Sequence, residues 1–243
     1  MARQVQEDVV ILCGGLGTRL RSVVNDRPKP MALIQERPFL DFVIDHLVAQ
    51  HFTRIIFSTG YQGDCIENHV SKRIDIDAVI SQEHQPLGTA GALRACLPLI
   101  STKTVLVLNG DSLCRIHFQS LLAAHRQHAA VATLAVVPTN NRIDGGGLTL
   151  DQQGRILAFR EKEAGPYINA GIYAIQTSHL EQITPNTASS LERDIFPLLA
   201  GHGLLAHISD APLYDIGTPA RLAAFQALQE EGSTQMETQV HHV

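Results

Sequence analysis

The chain has no tryptophan and only four cysteines, and no apolar run in it approaches the length of a membrane span. The four cysteines, Cys13, Cys65, Cys96 and Cys114, are widely spaced with no C-x-x-C, which excludes the usual thiol metal and redox motifs. Cys13 and Cys96 sit in apolar surroundings and read as buried free thiols of a reducing compartment. The twelve histidines contain no H-E-x-x-H. His125 and His128 share a helical face but lack a nearby third ligand, so they are expected as surface residues rather than a zinc site. Met1 to Asp8 lack the apolar core of a secretory signal, and a cytoplasmic location is expected. A formal charge of -5 argues against a nucleic-acid partner or a membrane-surface role.

What is present begins at Val9-Val10-Ile11-Leu12-Cys13-Gly14-Gly15-Leu16-Gly17-Thr18-Arg19-Leu20. A short apolar run predicts a buried strand ending in three closely spaced glycines. Glycines admit unusual backbone angles and the close approach of a ligand to bare amides. Consecutive free amides form an anion-binding concavity, to which a following helix start adds positive potential. Arg19 supplies a planar, permanently charged fork for phosphate. The dinucleotide fingerprint G-x-G-x-x-G fails because its third glycine would fall on Leu20, and no register gives the P-loop G-x-x-x-x-G-K-[ST].

Strand and helix patterns alternate as far as about Val137, which predicts a mostly parallel sheet covered on both faces. Helices are expected over 39–51, 88–97, 117–128, 190–199 and 219–230, and a hairpin over 148–150 and 156–159. No repeat or linker divides the chain. One domain is expected over 1–231, with 9–138 as a nucleotide half and 139–231 as the half for the other substrate. From Gly232 to Val243 the chain is polar and is expected as a frayed tail.

Three further segments carry charge suited to chemistry. In Pro28-Lys29-Pro30 the second proline should hold Lys29 in an extended backbone, giving a stiff root for a second phosphate-binding cation. Asn109-Gly110-Asp111 ends an apolar strand, where ligands bind in open α/β sheets. A carboxylate there needs a cation between itself and phosphate, and Mg2+ accepts one or two protein carboxylates. Asp215 precedes Gly217 and the helix start Thr218-Pro219, and spacing alone does not pair it with Asp111. Each of these residues has a plainer reading, as a turn or capping residue.

Together, G-G-x-G-T-R-L and Pro28-Lys29-Pro30-Met31 resemble the signature of the sugar-phosphate nucleotidyltransferases, and the likeness runs from about Val9 to Gln229. It is nearest to the D-glycero-D-manno-heptose 1-phosphate guanylyltransferases, through Arg19 to Val24, Asp26 to Ala32 and Pro38-Phe39-Leu40. The resemblance implies a Rossmann-like three-layer α/β/α fold with a mostly parallel mixed sheet. It implies that GTP and a sugar 1-phosphate give a nucleoside diphosphate sugar and pyrophosphate, with a place in cell-surface polysaccharide synthesis.

It also implies residue roles. Leu12, Gly14, Gly15, Gly17 and Thr18 would cradle the nucleotide, with Arg19, Lys29 and Asp111 at the reacting phosphates. Pro86, Gly88 and Thr89 would lie under the base, with Glu83 reading its edge. An ionised carboxylate only accepts hydrogen bonds, which suits the two neighbouring donors of guanine. Asp111 and Asp215 would hold Mg2+. Lys162 would bind the sugar phosphate, Glu161 and Asn169 the sugar hydroxyls, and Gly171 would leave room for the sugar. A homo-oligomer is compatible with this reading. The alternatives are a mannose or glucose 1-phosphate enzyme using another nucleotide, and a non-catalytic nucleotide-sugar sensor.

Overall fold

The computed structural model describes residues 6–139, 147–160 and 165–240. Strand Asp8–Leu12 (β1) leads into the glycine turn, then single 3-10 turns at Thr18–Leu20 and Lys29–Met31. A short ladder of Leu33–Ile34 (β2) and Arg37–Pro38 (β3) precedes helix Phe39–Val48 (α1). Strand Arg54–Thr59 (β4), helix Gly63–Val70 (α2), strand Asp77–Gln82 (β5) and helix Gly88–Ala95 (α3) follow. Then come Thr104–Asn109 (β6), Ser112–Cys114 (β7), helix Phe118–Gln127 (α4) and Ala132–Pro138 (β8). The later chain gives Gly147–Leu150 (β9), Ile156–Arg160 (β10), Tyr167–Gln176 (β11) and helix Thr177–Leu180 (α5). It ends with helix Phe196–Leu199 (α6), strands Leu204–Ile208 (β12) and Leu213–Asp215 (β13), and helix Pro219–Val240 (α7).

The main sheet runs β10-β9-β11-β6-β1-β4-β5, and β8 joins it beside β11 with β12 outside β8. It is a mixed sheet. Strands β6, β1, β4 and β5 pair in parallel, and β11 runs antiparallel to β6, β8 and β9. β1 is apolar throughout its interior because both its faces are covered. Val9 and Ile11 join a core with α1, α4 and α7, while Val10 joins a second core with α3, α5 and α6. Those two cores and the sheet between them make three layers.

Two features position the site. The first is the parallel order itself, which brings the carboxyl ends of β1, β4, β5 and β6 to one edge. The second is a separate two-strand ladder, β7 against β13, with Asp215 opposite Ser112. The amide of Ile216 also donates to the carbonyl of Asp111 at 3.1 Å. Phe225 on α7 holds the far end of that connection. Its ring lies 5.2 Å from Phe39, 5.4 Å from Phe42 and 5.2 Å from Tyr214.

Three sequence expectations change. The helix expected over 219–230 continues to Val240, through the stretch expected to fray, because 233–240 contains no proline and several good helix formers. The helix expected over 190–199 divides into a wide turn at 191–195 and the short α6. His125 is 2% exposed rather than a surface residue, and its Nδ1 lies 3.0 Å from Thr133 Oγ1. Burial and the nearby Arg126 lower its pKa to about 4.

Candidate active site

A cavity of about 380 Å3 lies at the carboxyl edge of the parallel strands. The glycine turn forms one wall through Leu12, Gly14, Gly15, Gly17, Thr18 and Arg19. Lys29, Asp111, Glu83, Pro86, Gly88 and Thr89 also line it. Asp215 itself is not on the lining, but Gly217, two residues on, is.

The three glycines of the first turn serve different ends. Around Gly15 a Cβ would meet nothing within 4 Å, so here the backbone faces open space. Gly17 has a φ of 59°, a left-handed angle that favours glycine, and a Cβ there would lie 3.2 Å from Lys29 Cβ. Gly14 makes room for the carboxyl of Glu83, whose Oε1 occupies the place a Cβ would take. Gly60 is the opposite jaw, and its Cβ would lie 2.5 Å from the same oxygen. The helix start expected after the turn is only the 3-10 turn Thr18–Leu20, too short to add a macrodipole. The exposed backbone of the turn and the guanidinium of Arg19 are left to attract an anion.

Glu83 is thus wedged between two backbone strands. Its Oε2 accepts from the amide of Leu87 at 3.1 Å. Burial raises its pKa, and the Leu87 bond opposes that rise. The remaining oxygen is the one against Gly14 and Gly60.

Lys29 is not extended, as its proline neighbour implied. It opens the 3-10 turn, and Pro28, at ψ 151°, is the extended residue instead. The root is still stiff, because Met31 N bonds Pro28 O at 2.8 Å and Ala32 N bonds Lys29 O at 3.0 Å. The ammonium, 13% exposed, reaches Asp111 Oδ2 at 2.5 Å. On the other carboxylate, Arg221 Nη1 donates to Asp215 Oδ1 at 2.7 Å and Gly217 N donates at 3.1 Å. A Cβ built on Gly217 would stand 3.0 Å from Asp215 Oδ1 and 3.6 Å from Lys29 Nζ, so both ion pairs border one spot. Arg221 escaped the sequence reading; its signal is its place in the first turn of α7, just after Asp215.

Gly88, on the cavity lining, and Gly91 also pack closely against another part of the chain. A Cβ on Gly88 would strike the carbonyl of Ser189, and one on Gly91 would lie 2.5 Å from the carbonyl of Thr187. The chain at 187–189 fills both spaces, and the amides of Ala90 and Gly91 donate to Ser189 O. Gly171 was read as room for a sugar. It has a φ of 74°, and a Cβ there would lie 2.9 Å from Asn109 Nδ2. Asn169 Oδ1 accepts from Gly171 N at 2.9 Å, and Asn169 Nδ2 donates to Tyr173 Oη at 2.8 Å. Neither Asn169 nor Gly171 is on the cavity lining. Glu161 and Lys162 lie outside the described residues.

Cys13, Cys96 and Cys114 are buried free thiols, and Cys65 is a partly buried one. Burial pushes the Cys13 and Cys114 thiols up, the latter to about 11, which keeps both protonated. Among the described residues no group of three or more His, Cys, Asp or Glu side chains gathers as a metal cage, and no helix is long and apolar enough to cross a membrane.

Comparison with known proteins agrees with this geometry. The chain is 34% identical over 216 residues to D-glycero-alpha-D-manno-heptose 1-phosphate guanylyltransferase of Aneurinibacillus thermoaerophilus, covering 87% of this chain and 94% of that one. It is 31% identical to mannose-1-phosphate guanylyltransferase of Mycobacterium tuberculosis, covering 88% of this chain and 62% of that one. The structure of HddC from Yersinia pseudotuberculosis complexed with GMP-PN superposes with a TM-score of 0.81 at 31% identity, covering 90% of this chain and 97% of that one. The profile of the nucleotidyl transferase family matches residues 8–231, and the chain belongs to that family.

Proposed function

We propose that this protein transfers GMP from GTP to a sugar 1-phosphate, releasing pyrophosphate, and that the sugar is D-glycero-D-manno-heptose. The observation that carries the reading is the convergence of Arg19, Lys29, Glu83 and Asp111 on one cavity beside the glycine turn. The sugar and base are favoured by the 34% identity to the heptose 1-phosphate enzyme.

A sugar phosphate is already an anionic nucleophile, so no general base is needed. Its oxygen would attack the α-phosphorus in line and pyrophosphate would leave. The protein's work is positioning and charge neutralisation. Arg19 and the open amides at Gly15 would hold the triphosphate and the departing pyrophosphate. Lys29 would move from Asp111 to a phosphate oxygen when the nucleotide binds. Glu83 would meet the donor edge of guanine from its wedge between Gly14 and Gly60. Asn169, with Glu161 and Lys162, would serve the sugar phosphate.

Asp111 and Asp215 suit a divalent cation such as Mg2+. Both are hard oxygen donors, and each is already matched by a positive group, Lys29 or Arg221. Two carboxylates are enough for a cation that takes the rest of its shell from phosphate and water. When bound, it would supply neutralisation between the two reacting phosphates. Residues 9–138 would serve the nucleotide and 139–231 the sugar phosphate, in a cytoplasmic enzyme feeding cell-surface polysaccharide synthesis.

The relative of M. tuberculosis keeps mannose 1-phosphate as the second reading. A panel of four nucleoside triphosphates against heptose, mannose and glucose 1-phosphates, scored by pyrophosphate release, decides. GTP with the heptose is expected to give the highest kcat/KM. Another pair in first place would move the assignment, and nucleotide binding with no turnover from any pair would make the protein a sensor.

A further inference from the structure

A hydrogen-bonded chain crosses the back of the site and is not explained by any role above. Glu192 is its centre. Its Oε2 accepts from Thr89 Oγ1 at 2.7 Å and from Ser190 Oγ at 2.8 Å. Its Oε1 accepts from Tyr173 Oη at 3.1 Å. Thr89 lines the cavity beside Gly88, and its hydroxyl oxygen also takes the amide of Leu191 at 2.8 Å. Tyr173 is fully buried and in turn accepts from Asn169 Nδ2.

The local backbone is built to deliver this carboxylate. Residues 191–195 form a wide turn in which Ile195 N reaches Ser190 O at 3.3 Å, and such turns recur at functional positions. Ser190 Oγ caps it by accepting from Arg193 N at 3.2 Å. Ser190 to Arg193 is close to a helix cap in sequence, and within it Glu192 is turned toward Thr89 and Tyr173, on two other elements.

Direction along the chain is fixed by chemistry. An ionised carboxylate can only accept, so the phenol proton of Tyr173 goes to Glu192. The phenol stays protonated, because burial, with the charge of Glu192 beside it, holds its pKa well above the usual tyrosine range. The phenol oxygen is left to accept, and the amide of Asn169 presents its NH2 to it. Asn169 Oδ1 is thereby committed to Gly171 N. The orientations of Thr89, at the nucleotide cavity, and of Asn169, on β11, are therefore set by the two oxygens of one carboxylate.

We infer that Glu192 is a positioning residue that ties the nucleotide wall to the sugar-phosphate strand, through Thr89 on one oxygen and Tyr173 with Asn169 on the other. Glu192 itself is not on the cavity lining. The inference rests on the proposed two-substrate reading for the ligands used to test it. Its measurement is equilibrium binding rather than turnover.

The experiment titrates the full chain separately with GTP and with heptose 1-phosphate, and follows thermal unfolding of each variant. Glu192→Gln keeps size but loses an acceptor, and is expected to weaken both ligands about tenfold. Tyr173→Phe is expected to weaken the sugar phosphate alone, and Thr89→Val the nucleotide alone, with Thr89→Ser restoring it. A Glu192→Gln protein that melts earlier but binds both ligands within twofold of wild type overturns the inference. So does Tyr173→Phe weakening both ligands equally, and this variant decides if Glu192→Gln does not fold. A wild type blind to every sugar 1-phosphate overturns it too. A wild type that binds both ligands and releases no pyrophosphate defeats only the enzyme reading.

Discussion

The ammonium of Lys29 stands 2.5 Å from Oδ2 of Asp111, and the pair borders the nucleotide cavity. On the proposed reading each group stands in for a ligand of the other: phosphate would replace the aspartate at the lysine, and a metal would replace the lysine at the aspartate. Removing one leaves the other uncompensated in a partly buried place.

Asp111→Asn should cost activity, with some loss of stability because Lys29 is left uncompensated. Turnover is expected to fall about 10²- to 10³-fold, the scale on which one transition-state electrostatic contact acts. Asp215→Asn should fall comparably. Pyrophosphate release at saturating magnesium measures both, and near-normal rates would remove these residues from the mechanism.

Gly14→Ala should force the Glu83 carboxyl out of its wedge. The displaced group is the far end of a flexible side chain and the nearest backbone atom stands at 3.5 Å, so stability should change by no more than about 1 kcal/mol while nucleotide binding weakens. Glu83→Gln should change selectivity, favouring UTP or dTTP relative to GTP. Competition between the triphosphates reads this out, and an unmoved preference would show that another residue reads the base.

His125 predicts an acid-side loss of stability. Its pKa falls from the ordinary 6.5 to about 4 on folding, so the folded protein refuses a proton that the unfolded chain accepts. Its contribution is complete above pH 6.5 and erodes as pH falls toward 4, by up to about 3 kcal/mol. Urea unfolding at pH 7 and pH 5 should show a steeper loss for wild type than for His125→Gln, which does not titrate.

Phe225→Ala should cost about 3–5 kcal/mol, as for other buried phenylalanines. The ring packs against Phe39, Phe42 and Tyr214, so it joins α7 to α1 and to β13. Because β13 carries Asp215, activity should be lost at temperatures where far-ultraviolet circular dichroism still reports a folded sheet.

Much of this architecture is written locally. The glycine turn, the apolar β1, β4 and β6, and the hairpin of β9 and β10 announce themselves within a dozen residues each. The cavity wall from Leu12 to Arg19 follows from the same stretch. What was hidden is non-local or very short. β7 and β13 have three residues each, too few for any periodicity, yet they set Asp215 beside Asp111. Gly88 and Gly91 give no sign in sequence that the chain at 187–189 fills their space. Burial of His125 depends on Thr133, on a different element. Glu192 stands inside the cap-like run Ser190 to Arg193 and gives no sign of Thr89 and Tyr173, which only the fold brings to it.

The ladder of β7 and β13 has an entropic consequence. Its two strands come from the middle and the far end of the chain. Asp215 therefore reaches the neighbourhood of Asp111 only when the chain closes a loop of about a hundred residues, and that contact carries the entropy of the closure.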